Sequence, residues 1–275
     1  MKKGSNIDRI VMYLLLFVVM AVPLIKPMGI PLEISPETQA AYDFIESIPE
    51  GSTVWIDFAY RPATAPESLS QSYAVCHQLF KKNFKVIFFY CIPEASPYVV
   101  EVTEKLSKEY NKEYGVDYVN LGYKPNLDSA LNGMARNFAE IFPTDVDGTP
   151  TSSLPITKNI KGVDDIAMFF VVHTGSPGVD SYFQQIEGQF KKPIVASMTA
   201  INGPTLYPRF EAGQLKGMIV GLRGSAEYEL LVKEPGSAIS GMDAQSLGHL
   251  LIAASIVIGT IQFLVKKSKG GEADA

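Results

Sequence analysis

The sequence contains little cysteine and little histidine. Of its 275 residues, two are cysteine and three are histidine. The spacing of Cys76 and Cys91 matches no zinc pattern, and the scarcity of imidazole argues against a structural metal. The local pattern places Cys76 within a helix and Cys91 at a strand end, which predicts two buried thiols, although an extracytoplasmic location would permit a disulfide. We expect neither a metal nor a cofactor.

Excess basic charge is also lacking. The formal net charge is −5, and both chain ends are net basic, so the middle of the chain is more acidic than the whole. No run of basic residues interleaved with aromatic residues occurs there. An acidic domain repels a phosphate backbone, so the composition predicts no nucleic-acid partner.

Several common catalytic signatures are missing from the sequence. It has no GxGxxG after the first predicted strand, no P-loop and no GxSxG. These absences argue against the dinucleotide-binding fingerprint, the P-loop nucleotidases and the α/β-hydrolases. We therefore assign no catalytic residues and favour a protein that is not an enzyme.

Long apolar runs, by contrast, are present near both ends, in residues 10–27 and 246–265. At 1.5 Å per residue the second run covers roughly the 30 Å hydrocarbon layer. The first run is shorter between Arg9 and Lys26, whose long side chains can reach the interfaces. The alternatives are a cleaved signal peptide for the first run and a buried core helix for the second. No small-x-small cleavage site follows the first run, so we predict two helices in the lipid bilayer.

Basic residues predict how these helices are oriented. Lys2, Lys3 and Arg9 precede the first run, and Lys266, Lys267 and Lys269 follow the second. The positive-inside rule then gives a two-pass protein of the cell membrane with both termini in the cytoplasm. The predicted order is a cytoplasmic segment 1–9, a membrane helix 10–27, an extracytoplasmic domain 28–245, a membrane helix 246–265 and a cytoplasmic tail 266–275.

Strand-like and helical patterns alternate through the middle of the chain. The predicted strands are residues 53–58, 84–92, 116–121, 166–173, 193–199 and 216–222; the predicted helices are 36–48, 67–82, 98–114, 127–142, 179–190, 205–213 and 225–233. This alternation predicts an α/β domain with a mostly parallel sheet, a Rossmann-like three-layer sandwich flanked by the two membrane helices. The turn-rich stretch 143–161 interrupts the pattern as a lid, a partner-binding loop or a flexible excursion.

Polar residues follow several predicted strands, where ligands bind in parallel sheets. Glycine-containing turns that open into helices there would suit an anion. The sequence thus predicts a ligand-binding rim; the alternative is that these residues make turns and are solvated. The candidate ligand-binding residues are Tyr60, Arg61, His173, Ser176, Asn202 and Arg223.

The segment Asp-Val-Asp-Gly-Thr at 145–149 resembles the first signature of haloacid-dehalogenase-type phosphatases. That resemblance implies Asp145 as nucleophile, Asp147 as general acid and a magnesium ion. The family signature follows a buried strand, whereas here it follows a predicted helix, so we predict a turn.

Residues 165–199 resemble the core of membrane-anchored peptidases of the ClpP/crotonase fold. A Gly-rich turn at 173–178 and Lys-Lys-Pro-Ile-Val at 191–195 fit that outline. Asn202 stands where the family has its nucleophilic serine, and a base cannot activate an amide for attack on a carbonyl. The resemblance therefore suggests a catalytically inactive relative.

Three functions remain open. The leading hypothesis is a non-enzymatic component of a membrane-associated assembly in transport, secretion or the envelope, whose extracytoplasmic domain binds a membrane or extracytoplasmic protein. The second is an extracytoplasmic module that binds or senses a small molecule. The third is a hydrolase of unrecognised type or the inactive peptidase relative.

Overall fold

A computed structural model describes residues 4–271, with side-chain environments for residues 9–265. The chain divides into two compact units. One unit contains the two terminal helices, and the other comprises residues 32–238. Lys2 and Lys3, on which the predicted orientation partly depends, lie outside the described residues, as do the side chains of Lys266, Lys267 and Lys269.

The larger unit is built around a six-stranded sheet in the order β3-β2-β1-β4-β5-β6. Every neighbouring pair is parallel. The strands are β1 (Thr53–Ala59), β2 (Lys85–Tyr90), β3 (Tyr118–Tyr123), β4 (Met168–His173), β5 (Ile194–Met198) and β6 (Leu215–Val220). The predicted α/β fold with a parallel sheet is confirmed.

Helices connect the strands and cover the sheet. The helices are α1 (Gly4–Ile25), α2 (Pro36–Ser47), α3 (Ala65–Lys81), α4 (Ser96–Glu109), α5 (Leu127–Arg136), α6 (Phe138–Ile141), α7 (Val179–Tyr182), α8 (Gly188–Phe190), α9 (Gly203–Glu211), α10 (Gly221–Val232) and α11 (Ser237–Gly271). A π-helical turn, Phe183–Glu187, joins α7 to α8.

Alternate strand residues face two separate cores. Trp55 and Phe169 belong to the core beneath α5, α6, α7 and α9, whereas Ile56 and Phe170 belong to the core beneath α2, α3, α4 and α10. Because both faces are covered, the strands are buried along nearly their whole length and read as continuous apolar runs. The domain consists of a helical layer, the sheet and a second helical layer.

Predicted and observed boundaries differ at several helices. The helix predicted over 127–142 is two helices, α5 and α6, because Asn137 adopts an extended conformation between them. The last domain helix starts at Gly221, four residues earlier than predicted, directly after β6. The stretch 143–161 forms turns and one 3-10 turn, Thr151–Ser153, as its composition predicted.

The terminal helices α1 and α11 carry most of the large apolar side chains that are exposed in the described residues. Within α11, Ser237–Val265 is long and apolar enough to cross a membrane. The apolar part of α1, Arg9–Ile25, is shorter. The structure thus supports one possible membrane helix by length and composition, and the second remains a prediction.

These two helices pack against each other in opposite directions. Met20 lies beside Gly248, where an added Cβ would be 3.6 Å from the Met20 Cγ. Further along the pair, the Ser255 hydroxyl lies 3.5 Å from the Met12 sulfur. Residue numbers fall along α1 as they rise along α11, so the helices are antiparallel.

Asp243 ties the chain that leaves α1 to the start of α11. Its carboxylate accepts hydrogen bonds from the backbone N–H groups of Met28, Gly29 and Ile30, at 2.7, 2.9 and 3.0 Å. Asp243 is only 2% exposed. Three donors satisfy a buried carboxylate that would otherwise be costly to desolvate.

We expect the variant with Met20→Cys and Gly248→Cys to form an intramolecular cross-link when membranes are treated with an oxidant or a short bismaleimide. The matched control pairs Met20→Cys with Gly259→Cys, about 16 Å further along α11 at 1.5 Å per residue. Gel mobility after limited proteolysis between the helices reads out the link. Equal cross-linking of the two pairs would contradict the antiparallel packing.

Candidate functional site

The strand order determines where a ligand site can form in this sheet. β1 continues towards β2 on one side, and β4 continues towards β5 on the other, so the connections after these two neighbouring strands diverge. In open parallel sheets, such a divergence leaves a crevice at the carboxyl edge, and ligands bind there.

A polar recess of about 410 Å³ lies at this edge. Arg61 follows β1, Cys91 follows β2, Asn126 follows β3 and Ser176 follows β4, so all four strands around the divergence contribute. The lining residues are Arg61, Cys91, Ile92, Pro93, Tyr123, Asn126, Leu127, Asp128, Ser176, Pro177 and Ser181. We call this cavity the switch-point recess.

A buried hydrogen-bonded chain adjoins this recess through Cys91, which lines it, and through Tyr182, the neighbour of the lining residue Ser181. Asp57 on β1 is fully buried, and its carboxylate accepts a hydrogen bond from the backbone N–H of Cys91, which lines the recess, at 3.1 Å. The other oxygen accepts a hydrogen bond from the Tyr182 hydroxyl at 3.0 Å. That hydroxyl in turn accepts one from the Trp55 indole N–H at 3.0 Å. The chain connects β1, the segment after β2 and α7.

Burial controls protonation in this network. Removal from water raises the pKa of Asp57 to about 7, although the hydrogen bonds from Cys91 and Tyr182 oppose that rise. Burial also raises the pKa of the Cys91 thiol, and the negative charge of Asp57 adds to the increase. Cys91 is therefore held as a thiol. Both cysteines are free and buried, as the sequence predicted.

Two opposite charges line the recess without partners. Within the described residues, neither Arg61 nor Asp128 has a hydrogen-bond or ion-pair partner for its side chain, and both residues are exposed. Asp128 lies in the first turn of α5. These are the charges that the recess can offer to a ligand.

The helical segment after β4 contributes to both the recess and the buried hydrogen-bonded chain. Ser181 lines the recess, and the next residue, Tyr182, binds Asp57. The π-helical turn starts immediately afterwards at Phe183. π-Helical turns are rare in proteins, and many of those that are known lie at functional sites.

Of the six candidate residues, two lie together in the recess: Arg61 and Ser176. Tyr60 is fully buried and stacks on Tyr98 with ring centroids 5.2 Å apart. His173 is 6% exposed, and its Nδ1 accepts a hydrogen bond from the Val179 N–H at 3.2 Å. Burial lowers the pKa of His173, which favours the neutral ring.

The remaining two candidates have local partners. The Asn202 amide donates to the Thr199 hydroxyl at 3.1 Å within the turn before α9. Arg223 pairs with the buried carboxylate of Glu227 at 2.8 Å in a second recess of about 460 Å³. Glu227 also accepts hydrogen bonds from the N–H and hydroxyl of Ser35, at the start of α2. An internal carboxylate thus occupies the anion-binding position of that helix.

Sequence reasoning missed Cys91, Asn126, Asp128 and Ser181 as lining residues. The available signal was the position of Asn126, a frequent turn residue, between a predicted strand and a predicted helix. Loops that run from a parallel strand into a helix lie at the carboxyl edge of the sheet, where ligands bind.

The phosphatase-like segment is a turn, as predicted. The carboxylate of Asp145 accepts hydrogen bonds from the N–H groups of Asp147 and Thr149, at 3.0 and 2.8 Å, and from the Tyr114 hydroxyl at 2.9 Å. It follows α6 and a short irregular segment, and it is 5% exposed. Those contacts engage both carboxylate oxygens in stabilising the turn.

A group of possible metal ligands lies elsewhere, where ligand atoms of His77, Glu109 and Glu234 are within 4.8 Å of one another. The Lys81 ammonium forms an ion pair with Glu234 and also binds the Val232 carbonyl. The Tyr110 hydroxyl is 2.8 Å from His77 Nδ1. A bound cation would be repelled by the lysine, so we assign no metal to this group.

No protein-family model, curated protein or solved structure matches this chain.

Asp57→Asn tests the buried network through the pH dependence of stability. Asparagine keeps the shape and can still accept from the Cys91 N–H. The folded-state pKa of Asp57 lies above its unfolded value, so its contribution to stability is present below about pH 4 and is lost as pH rises through about 7. We therefore expect the stability of the wild type relative to the variant to fall between pH 4 and 8, by an amount on the order of a few kcal/mol.

Denaturant unfolding of the full chain in detergent, at several pH values, measures this difference. Asp164→Asn, at an exposed side chain, is the matched control. Parallel pH curves for the wild type and Asp57→Asn would contradict a raised pKa at Asp57.

Proposed function

We propose that this protein is a two-pass membrane protein whose α/β domain lies outside the cytoplasm and binds a small molecule in the switch-point recess. The observation that carries the proposal is the position of Arg61. Its cationic side chain, unpaired within the described residues, lines a recess between the diverging connections of β1 and β4.

The size of the recess supports a small-molecule ligand. Its volume of about 410 Å³ falls in the range of ligand pockets, which is roughly 300–1,000 Å³. The contribution of four strand ends allows several polar groups to converge on one ligand. The hydrogen bonds of Asp57 hold the segment after β2 and the helix after β4, both of which contribute lining residues, and such preorganisation reduces the entropic cost of binding.

The lining favours binding over catalysis. The lining residues named above include no histidine, and Cys91 is a buried thiol with a raised pKa. A cysteine nucleophile is activated by a lowered pKa, and Cys91 has the opposite shift. We therefore propose that the domain is a module that binds or senses a small molecule.

Membrane anchoring by both ends is supported by the pairing of α1 with α11. The apolar part of α1, Arg9–Ile25, has a length of about 25 Å at 1.5 Å per residue, which is short but sufficient with flanking basic side chains. It packs along the helix that meets the criteria for a membrane span and exposes apolar side chains on its other faces. An antiparallel pair would place both termini on one side.

The hypothesis of a membrane-associated assembly is compatible with ligand binding, because the ligand-bound protein could act on a partner in the membrane. A binding domain that is tethered by two helices is suited to pass its ligand or its ligand-bound state to a neighbouring membrane protein. Purification of the intact protein from mild detergent, with and without ligand, would identify such a neighbour by mass spectrometry.

Asp147→Cys tests the orientation. Asp147 is exposed in the turn at 145–149, and both native cysteines are buried, so the introduced thiol dominates labelling. We expect an impermeant maleimide to label it on intact cells. Lys269→Cys is the control and should react only after permeabilisation; the reverse pattern would contradict the topology.

Ser176→Trp tests the ligand site, because an indole on the recess wall occupies ligand volume. We expect a small-molecule panel to yield ligands that stabilise the wild type in detergent, by about 2.7 kcal/mol at 100 times the dissociation constant. The stabilisation should disappear in Ser176→Trp and persist in Thr205→Trp, an exposed position on α9 outside the recess. Thermal unfolding is the measurement, and equal stabilisation of both variants would contradict the site.

A further inference from the structure

We propose that the switch-point recess binds a small zwitterion of the amino-acid type, with its carboxylate on Arg61 and its ammonium group on Asp128. This inference rests on the proposed ligand-binding function and specifies its substrate class. The two charges line one recess but form no ion pair, so their charged atoms are more than 4.0 Å apart.

Arg61 and Asp128 are not paired with each other, which leaves both charges available to a ligand. A guanidinium and a carboxylate that face the same cavity attract each other, and each is left with unused hydrogen-bonding capacity. A ligand with both a negative and a positive group can satisfy them simultaneously. An α-amino acid carries those groups on one carbon.

The chemistry of the two side chains suits the two charged groups of an amino acid. Guanidinium presents a planar pair of N–H donors that binds a carboxylate in bidentate fashion. A carboxylate accepts hydrogen bonds from an ammonium group, and Asp128 has no other partner within the described residues. The residues Asn126, Ser176 and Ser181 supply neutral polar groups to the remaining lining.

Other ligand charges fit this lining less well. A dianion such as a phosphate monoester would be opposed by Asp128. A cationic ligand would be repelled by Arg61. The lining therefore discriminates by charge pattern, through repulsion as well as attraction.

Isothermal titration of the full-length protein in detergent tests this assignment. The probes are glycine, L-serine and L-leucine as zwitterions, propionate as a carboxylate alone, propylamine as an ammonium alone, and inorganic phosphate. We expect at least one zwitterion to bind about tenfold or more tightly than propionate, propylamine or phosphate.

The variants separate the two ends of the ligand. Arg61→Ala should weaken binding of the zwitterion and of propionate by at least about tenfold, whereas Asp128→Asn should weaken binding of the zwitterion and of propylamine. Arg136→Ala, at the far end of α5, and Glu104→Gln on α4 are the matched controls and should leave binding unchanged.

The outcomes distinguish this inference from the proposed function. If phosphate or a singly charged probe binds best and Ser176→Trp abolishes that binding, the recess is a ligand site and the zwitterion assignment is wrong. Zwitterion binding that is unaffected by either charge variant would also overturn it. If none of the probes binds, the zwitterion assignment fails, and the small-molecule panel then decides the proposed function separately.

Discussion

The carboxyl group of Asp57 is the interaction on which the candidate site depends. It lies on β1, at the centre of the sheet, and joins the segment after β2 to the helix after β4. Without it, a buried backbone N–H and a buried tyrosine hydroxyl would lose their partners, which costs about 1–3 kcal/mol each. The segments after β2 and β4, which contribute lining residues to the recess, are therefore held in place before any ligand arrives.

Carboxylates bind backbone N–H groups in the same way elsewhere in the chain. Glu227 caps the start of α2, Asp145 closes the turn after α6, and Asp243 holds the segment after α1. Each side chain is nearly inaccessible to solvent. The acidic composition thus contributes to internal order as well as to surface charge, because a buried carboxylate that accepts several N–H donors fixes the path of the chain.

The order of elements could be predicted from the sequence because the strands are mostly apolar, as in β2 and β4, and the longer helices have a 3.6-residue pattern. Asn137 was not recognised as a break, since the hydrogen bond from the Phe138 N–H to the Lys161 carbonyl that accompanies its extended conformation joins residues distant in sequence. At the site, Arg61 and Ser176 could be found from their positions after strands. Tyr60 directly follows β1 and His173 is the last residue of β4, yet both are buried. A sequence does not show which residues near a strand end are turned inward. Asp128 escaped notice because an acid in the first turn of a helix is common.

The bond between Asp243 and residues 28–30 has a consequence for the architecture. It holds the segment after the first helix beside the beginning of the last helix, with 2.7 Å between the Met28 backbone nitrogen and an Asp243 carboxylate oxygen. In terms of connectivity, the domain of residues 32–238 is an insertion into the loop of a helical hairpin. Domain insertions are tolerated where the entry and exit points of the chain lie close together. Held together by Asp243, residues 28–30 and the beginning of α11 therefore provide closely spaced attachment points for an inserted domain.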